Sequence, residues 1–195
     1  MEEVGAPSVD PDAFRVAARR LAGGVTLAMA SHGPDTHAAT ATGFSLSLRP
    51  ATVFLSLDGS GQLVEVIGRA GHVGVSVLER RHHALAVWAS QRGRPLRLPP
   101  ELRTVTAVTG APLLPDALSC FDCEVADLLA FGDHRVVVGK VVATWSRTDG
   151  EPLVYVDRGY HTVGAPLPAP DTPPAPAGGP PWARDVRRRR DTDLP

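Results

Sequence analysis

Two long runs of strand-forming residues, 117–129 and 135–146, lie on either side of the turn Gly132-Asp133-His134. Apolar runs bounded by turn residues are typical of strands, and glycine is the residue that tight turns favour. The sequence therefore places an aspartate and a histidine at the rim of a β-sheet. Ionisable side chains in that position are accessible to a ligand.

Strands also outnumber helices along the rest of the chain, and they do not alternate with helices in a strand–helix–strand rhythm. This pattern favours a mainly β fold, a closed or nearly closed antiparallel barrel with a few flanking helices. Helices are predicted only from residue 11, over 60–67 and over 80–90. The further strands are predicted at residues 25–30, 36–42, 52–57, 71–78 and 153–156.

Two helix starts can be predicted from capping residues. Asp10 precedes Pro11, and this pair suits the N-cap and first position of a helix whose apolar face includes Phe14 and Leu21. Gly23-Gly24 is expected to end that helix. Ser60 is expected to cap the second helix.

Composition limits the classes of function. A chain of 195 residues with 43% hydrophobic and 21% charged residues fits one soluble globular domain. A net charge of −1 argues against bulk attraction to nucleic acid. No apolar run reaches the ~18 residues that a membrane span needs, and the acidic N-terminus has no signal-peptide core. We expect a cytoplasmic protein with neither nucleic acid nor a membrane as its partner.

The composition changes after residue 164, where proline dominates and an arginine-rich segment follows. Such a stretch buries too little apolar surface to offset its ordering entropy. We expect an N-terminal lead at 1–10, a folded domain at 11–164 and a disordered tail at 165–195. The basic end of the tail is either simply solvated or a contact point for acidic partners.

Cys120 and Cys123 have CxxC spacing but lie in a predicted strand, where side chains three apart point to opposite faces. Two core thiols in a reducing compartment are the better interpretation. The histidines have no ligand spacing, because the adjacent pair His82 and His83 faces different directions on a helix. No metal site is expected.

The sequence has no glycine-rich dinucleotide fingerprint, no P-loop and no Gly-x-Ser-x-Gly nucleophile motif. The run Thr40-Ala41-Thr42-Gly43 is either an ordinary exit from a strand or a place where small residues let a planar ligand approach the backbone. His134 is either a rim histidine bonded to a carbonyl or a group beside a bound ligand. Asp133 either orients that ring or caps its own turn.

Several motifs in the same order resemble those of the flavin reductase family, and the similarity runs from Phe14 to about Tyr160. The segment from Thr40 to Pro50 resembles the family pattern T-A-[SN]-S-F-x-S-[VL]-S-x-x-P-P. Residues 71–78 are similar to its G-x-F-x-V-N-V-L strand. Gly132-Asp133-His134 with Gly139 matches G-D-H-x-x-x-x-G, and residues 152–160 match P-L-[VL]-Y-x-x-x-G-x-Y.

The resemblance implies an FMN-binding split barrel that passes a hydride from NADH or NADPH to FMN or FAD. It also implies a homodimer with flavin in a groove at the subunit interface, and a partner monooxygenase that receives the reduced flavin. The residue matching His134 would lie near the flavin and the nicotinamide. The residues expected to bind flavin are Thr40, Ala41, Thr42, Gly43, Ser45, Ser56, Ser60, Gly61, Gln62, Asp133 and Tyr155.

One departure from the family concerns the flavin phosphate. The usual S-x-T signature is replaced by the segment from Asp58 to Leu63, where Asp58 would repel a phosphate while Gly59 and Gly61 could offer backbone amides. Two alternatives to the reductase remain. One is a protein with tightly bound flavin that acts directly on a small organic substrate, and the other is a non-catalytic flavin-binding protein.

Overall fold

Alternating apolar residues build one seven-stranded antiparallel sheet, which is the main feature of the computed structural model. The structure describes residues 9–42, 44–91, 93, 98–99, 102 and 104–165, apart from the side chains of residues 35 and 44–46. All the elements named below belong to one compact unit within residues 1–163. The expected mainly β, antiparallel fold with few helices is confirmed.

Three α-helices lie in the described residues: Pro11–Ala18 (α1), Gln62–Ala70 (α2) and His83–Ser90 (α3), the last preceded by a 3₁₀ turn at Arg80–His82. The strands in the same residues are Gly23–Gly24 (β1), Thr26–His32 (β2), Asp35–Ala41 (β3), Phe44–Leu48 (β4), Ala51–Asp58 (β5), His72–Val77 (β6), Val105–Thr106 (β7), Pro112–Leu113 (β8), Ser119–Phe131 (β9), His134–Ser146 (β10), Leu153–Val156 (β11) and Gly159–Thr162 (β12).

The large sheet has the strand order β3-β2-β6-β9-β10-β5-β4, so β3 and β4 are its two outer strands. Only residues 42 and 43 connect them in the sequence. Three Cα-to-Cα steps span at most about 11 Å, so the two edges of the sheet must lie close together. The sheet therefore curls round on itself, and β3 contacts β5 across the join.

Strand β2 is buried on both faces, because side chains alternate along a strand. Ala28 and Ala30 pack with Ile67 of α2 in one core cluster. Leu27 and Met29 pack on the other face with the cluster that includes Ala86 of α3. Burying a leucine or methionine contributes about 1.5–3 kcal/mol, so both clusters hold this strand in the centre of the fold.

The two cysteines follow the same alternation. Cys120 lies in one core cluster and Cys123 in the other, and both are free and buried. Burial raises the pKa of the Cys123 thiol to about 12, and the nearby Asp122 carboxylate adds to the shift. The thiol therefore stays protonated and unreactive near neutral pH.

The first helix begins as predicted but ends early. The Asp10 carboxylate accepts a hydrogen bond from the Asp12 amide at 3.1 Å, with Pro11 at the first position. The helix stops at Ala18, and Gly23–Gly24 forms strand β1 instead of ending it. Phe14 is 64% exposed, so the apolar face is not covered by the described part of the chain. Amphipathic spacing identifies such a face but not the surface that buries it.

The predicted cap of the second helix is wrong. The N-cap of α2 is Gly61, which has no side chain to accept a bond. The Ser60 hydroxyl donates instead to Asp58 Oδ1 at 2.6 Å. Ser60 lies one residue before the N-cap, so its hydroxyl bonds within the loop instead.

None of the described helices has the length and apolar character needed to span a membrane.

Gly74 should be intolerant of substitution. A Cβ built there would lie 2.2 Å from the Pro112 carbonyl oxygen and 2.9 Å from Leu113 Cδ2. We expect Gly74→Ala to lower the free energy of unfolding by about 2 kcal/mol, through overpacking against backbone that cannot move away. Denaturant unfolding measures it, with Gly24→Ala as the matched control because nothing lies within 4 Å of that position. Equal stability of the two variants would contradict this account.

Candidate functional site

The Gly132-Asp133 turn is a two-residue hairpin between β9 and β10, in which Phe131 pairs with His134. Gly132 has φ +57°, a value that glycine adopts without strain and that suits the first position of a tight hairpin. The register of the sheet places His134 opposite Asp58 of β5. The turn therefore lies directly beside the loop that follows β5.

Asp133 orients the histidine. His134 Nδ1 lies 2.7 Å from Asp133 Oδ1, and about half of the His134 side chain is exposed. This hydrogen bond and the charge of the imidazole hold the pKa of the Asp133 carboxyl below its usual range, while the Asp58 carboxylate opposes the shift. When Nδ1 carries the proton of a neutral ring, Nε2 is an acceptor.

The loop after β5 is bound to this turn through its backbone. The Gly59 amide donates to the Asp133 carbonyl at 2.9 Å, and a Cβ on Gly59 would lie 2.9 Å from the same oxygen. The Gly61 amide donates to the Asp58 carbonyl at 2.9 Å. Both glycine amides therefore already donate within the protein, and a phosphate would have to displace these bonds.

Residues 40–42 end strand β3 at the edge of the sheet. Ala41 pairs with Thr26, whose hydroxyl donates to the Ala41 carbonyl at 3.0 Å. Thr42 packs against Gly23, where a Cβ would lie 3.0 Å from the Thr42 carbonyl oxygen. Gly23 pairs in turn with Tyr155 of β11. Thr42 and Tyr155 are therefore both neighbours of Gly23.

Tyr155 belongs to a small aromatic group that the sequence pattern does not predict. Its ring centroid lies 5.1 Å from that of Tyr160, which lies 5.0 Å from that of His83. Tyr160 lies in the motif at residues 152–160, but no signal in the sequence links His83 of α3 to β12. Gly23 was likewise missed as a contact of Thr42.

Closure of the sheet brings the two halves of the site together. Strand β3 contacts β5, and Phe44, three residues after Ala41, pairs with Leu55, which places the end of β3 beside β5. Ser56 lies between Leu55 and Leu57 with an exposed side chain. We call residues 40–42, 56–62 and 133–134 the seam site. Gly43 lies outside the described residues, as does the side chain of Ser45.

A concave region of different character lies elsewhere. It has a volume of about 380 Å³ and is lined by Glu79, Arg80, Arg81 and Glu151. These side chains already form ion pairs, Arg81 with Glu79 and Arg80 with Glu151. A planar apolar ring would have little apolar surface to contact there, so the seam site is the better candidate.

Comparison with known proteins gives the family. Residues 18–164 match the flavin reductase like domain. The chain belongs to the flavin reductase-like family. The resemblance seen in the ordered sequence motifs is thereby confirmed.

Flavin reductase-like relatives cover most of the chain. The reductase component of 4-hydroxyphenylacetate 3-monooxygenase from Thermus thermophilus is 35% identical over 153 residues, which cover 78% of this chain and 96% of that protein. The NADH-dependent flavin reductase StyB of Pseudomonas fluorescens is 32% identical over 167 residues, which cover 84% and 95%. The solved styrene monooxygenase flavin reductase of Pseudomonas putida S12 is 30% identical, with a TM-score of 0.71 over 79% of this chain and 99% of that one.

The seam site fits part of a flavin. Thr42, Ser56 and Gln62 are exposed at the join and can donate hydrogen bonds to ring carbonyls and ribityl hydroxyls. The amides of residues 59 to 61 do not fit a phosphate, because each already donates within the protein. The donor set therefore suits the ring and ribityl chain only.

The Asp133–His134 contact predicts a measurable shift. In His134→Ala the hydrogen bond and the imidazole charge are lost, so the pKa of the Asp133 carboxyl should rise towards its ordinary value. A pH titration of the side-chain carboxyl resonance by NMR measures this change. His32→Ala, which replaces another exposed histidine, should leave the Asp133 pKa unchanged. An equally low Asp133 pKa in His134→Ala would show that the contact does not form in solution.

Proposed function

We propose that this protein is an NADH-dependent flavin reductase that passes a hydride to FMN or FAD and supplies the reduced flavin to a partner monooxygenase. The observation that carries the proposal is the hydrogen-bonded Asp133–His134 pair, which lies beside the end of β5 in a chain of this family. The relatives support the choice of NADH, because StyB is named for it. NADPH is the alternative co-substrate.

In this scheme the residues of the chain bind the flavin and the nicotinamide and orient them. The flavin, when bound, supplies the ring that accepts the hydride. Thr40, Ala41 and Thr42 border the ring with peptide groups and hydroxyls, together with Ser56 and Gln62. Gly43, Ser45, Ser60, Gly61 and Tyr155 remain proposed members of the same flavin site.

His134 acts by position in this proposal. The 2.7 Å hydrogen bond between Asp133 Oδ1 and His134 Nδ1 orients the imidazole ring. The nicotinamide would be held against this ring. Hydride transfer between two planar rings needs close approach and alignment, and neither a protein acid nor a nucleophile.

The reductase proposal predicts flavin-dependent turnover. The purified full-length protein should oxidise NADH, measured by loss of its absorbance, only when FMN, FAD or riboflavin is added. Reduced flavin is a product that leaves, so little flavin should stay with the protein through gel filtration. Failure with all three flavins would refute the proposal. A protein that stays yellow through gel filtration would instead support flavin acting on an organic substrate.

His134→Ala provides the matched test of the site within that assay. Loss of the positioned ring should lower the rate of hydride transfer by roughly tenfold in single-turnover kinetics, with unchanged thermal stability. His32→Ala should keep the wild-type rate. A wild-type rate in His134→Ala would leave His134 as a rim residue without a role in turnover.

We also propose that the protein is a homodimer and that its curled sheet is a split barrel. The outer face of β9 and β10 is apolar beside the seam site: Leu129 pairs with Val136, and Phe131 pairs with His134. Leu129 is 48% exposed and Phe131 is 80% exposed. Contiguous exposed apolar residues mark interaction surfaces, and a second copy placed here would cover the surface beside His134.

A charge at Phe131 should prevent that association. Phe131→Asp is expected to have the mass of a monomer by light scattering, because a carboxylate in an apolar interface is costly to desolvate. Val108→Asp is the control, since Val108 is also exposed but lies in the segment before β8. Identical masses for Phe131→Asp and the wild type would contradict an interface on this face.

Two further proposals concern the bounds of the domain and the compartment in which the protein acts. We propose that the flavin reductase-like domain covers residues 11–164, with a lead at 1–10 and a tail at 165–195. We propose cytoplasmic action, because the two free, buried cysteines suit a reducing compartment. Cell fractionation with an antibody against the protein tests this location.

A further inference from the structure

The segment that joins β5 to α2 has the form of an anion site but is filled by the protein itself. A glycine-containing turn that leads into a helix is a common place for phosphate, because its amides and the helix dipole favour negative charge. Residues 58–61 make such a turn here, and α2 begins at Gln62. Four buried residues of α2, Leu63, Val64, Val66 and Ile67, fix the helix against the core.

Asp58 occupies the position that an anion would take. Its Oδ1 accepts the Ser60 amide at 3.0 Å and the Ser60 hydroxyl at 2.6 Å. Its carbonyl accepts the Gly61 amide, and the Asp133 carbonyl accepts the Gly59 amide, each at 2.9 Å. A phosphate could bind these three amides only by breaking bonds that the loop already makes, two of them to Asp58 and one to Asp133.

Carboxylates lie close to the turn, and one arginine lies there too. Asp58 lies opposite His134 in the sheet register, next to the exposed carboxylate of Asp133. Glu65 adds a third carboxylate in the first turn of α2, although it pairs with Arg69. Arg135 is the nearby cation, and its guanidinium donates to the His134 carbonyl at 3.1 Å. A phosphate at this turn would meet at least two carboxylates at close range.

We propose that Asp58 is a specificity-determining residue that makes flavin recognition independent of the 5′-phosphate, so that the protein takes riboflavin as readily as FMN or FAD. The substrate class is thus defined by the isoalloxazine ring and the ribityl chain. This inference rests on the proposed function, since it concerns the same flavin site. The inference explains why the seam site has donors for the ring and the ribityl chain but none that is available to a phosphate.

The test is a binding titration followed by quenching of flavin fluorescence, with riboflavin, FMN and FAD, on the full-length protein. In the wild type the Kd values for riboflavin and FMN should agree within about threefold. Asp58→Asn keeps the oxygen that accepts the Ser60 bonds but removes the charge, so the loop should persist. It should tighten FMN binding about tenfold and leave riboflavin binding unchanged. Asp58→Ala also releases the Ser60 amide and should tighten FMN binding at least as much.

Glu65→Gln is the matched control, because it removes the same charge from the same helix end without touching the loop bonds. Its FMN and riboflavin affinities should change less than twofold. FMN binding to the wild type more than about threefold tighter than riboflavin binding would overturn the inference. An unchanged FMN affinity in Asp58→Asn would overturn it too. Binding of none of the three flavins would refute the proposed function itself.

Discussion

The two-residue connection between β3 and β4 is the constraint on which the rest of this structure depends. The strands that it joins are the first and last of a seven-stranded sheet, and no flat sheet can satisfy so short a link. In a flat sheet of the same strand order, the end of β3 and the end of β5 would lie at opposite corners. Curling the sheet brings them together and buries Ala41 in one cluster with Leu55 and Leu57.

The seam site is a product of that closure. The segments that form it are far apart in the sequence, and each is held in place by different local contacts. Thr42 packs against Gly23, which has no side chain. The loop after β5 is hydrogen-bonded to the hairpin through the Gly59 amide. Asp133 then fixes the His134 ring. The small residues allow the backbones to approach closely, and the hairpin supplies the one oriented imidazole.

Much of the sheet could be predicted from the sequence, because long apolar runs with turn residues between them fix β2, β5, β9 and β10. The short strands β4 and β12 were not predicted: β4 alternates apolar residues with serine but has only five residues, and the four residues of β12 contain one large apolar side chain. The Asp10 cap was correct, but the Ser60 cap was not, because α2 begins one residue later than predicted, with Gly61 at its N-cap. Contacts such as Thr42 with Gly23, or His83 with Tyr160, depend on closure and packing that local pattern does not encode.

The central claim is that residues from three separate segments form one flavin site at the seam. Amide NMR spectra recorded while riboflavin is added to the labelled protein test it most directly. The account predicts that the largest shifts fall in residues 40–42, 56–62 and 133–134. Shifts centred instead on Glu79, Arg81 and Glu151, with the seam residues unmoved, would contradict it.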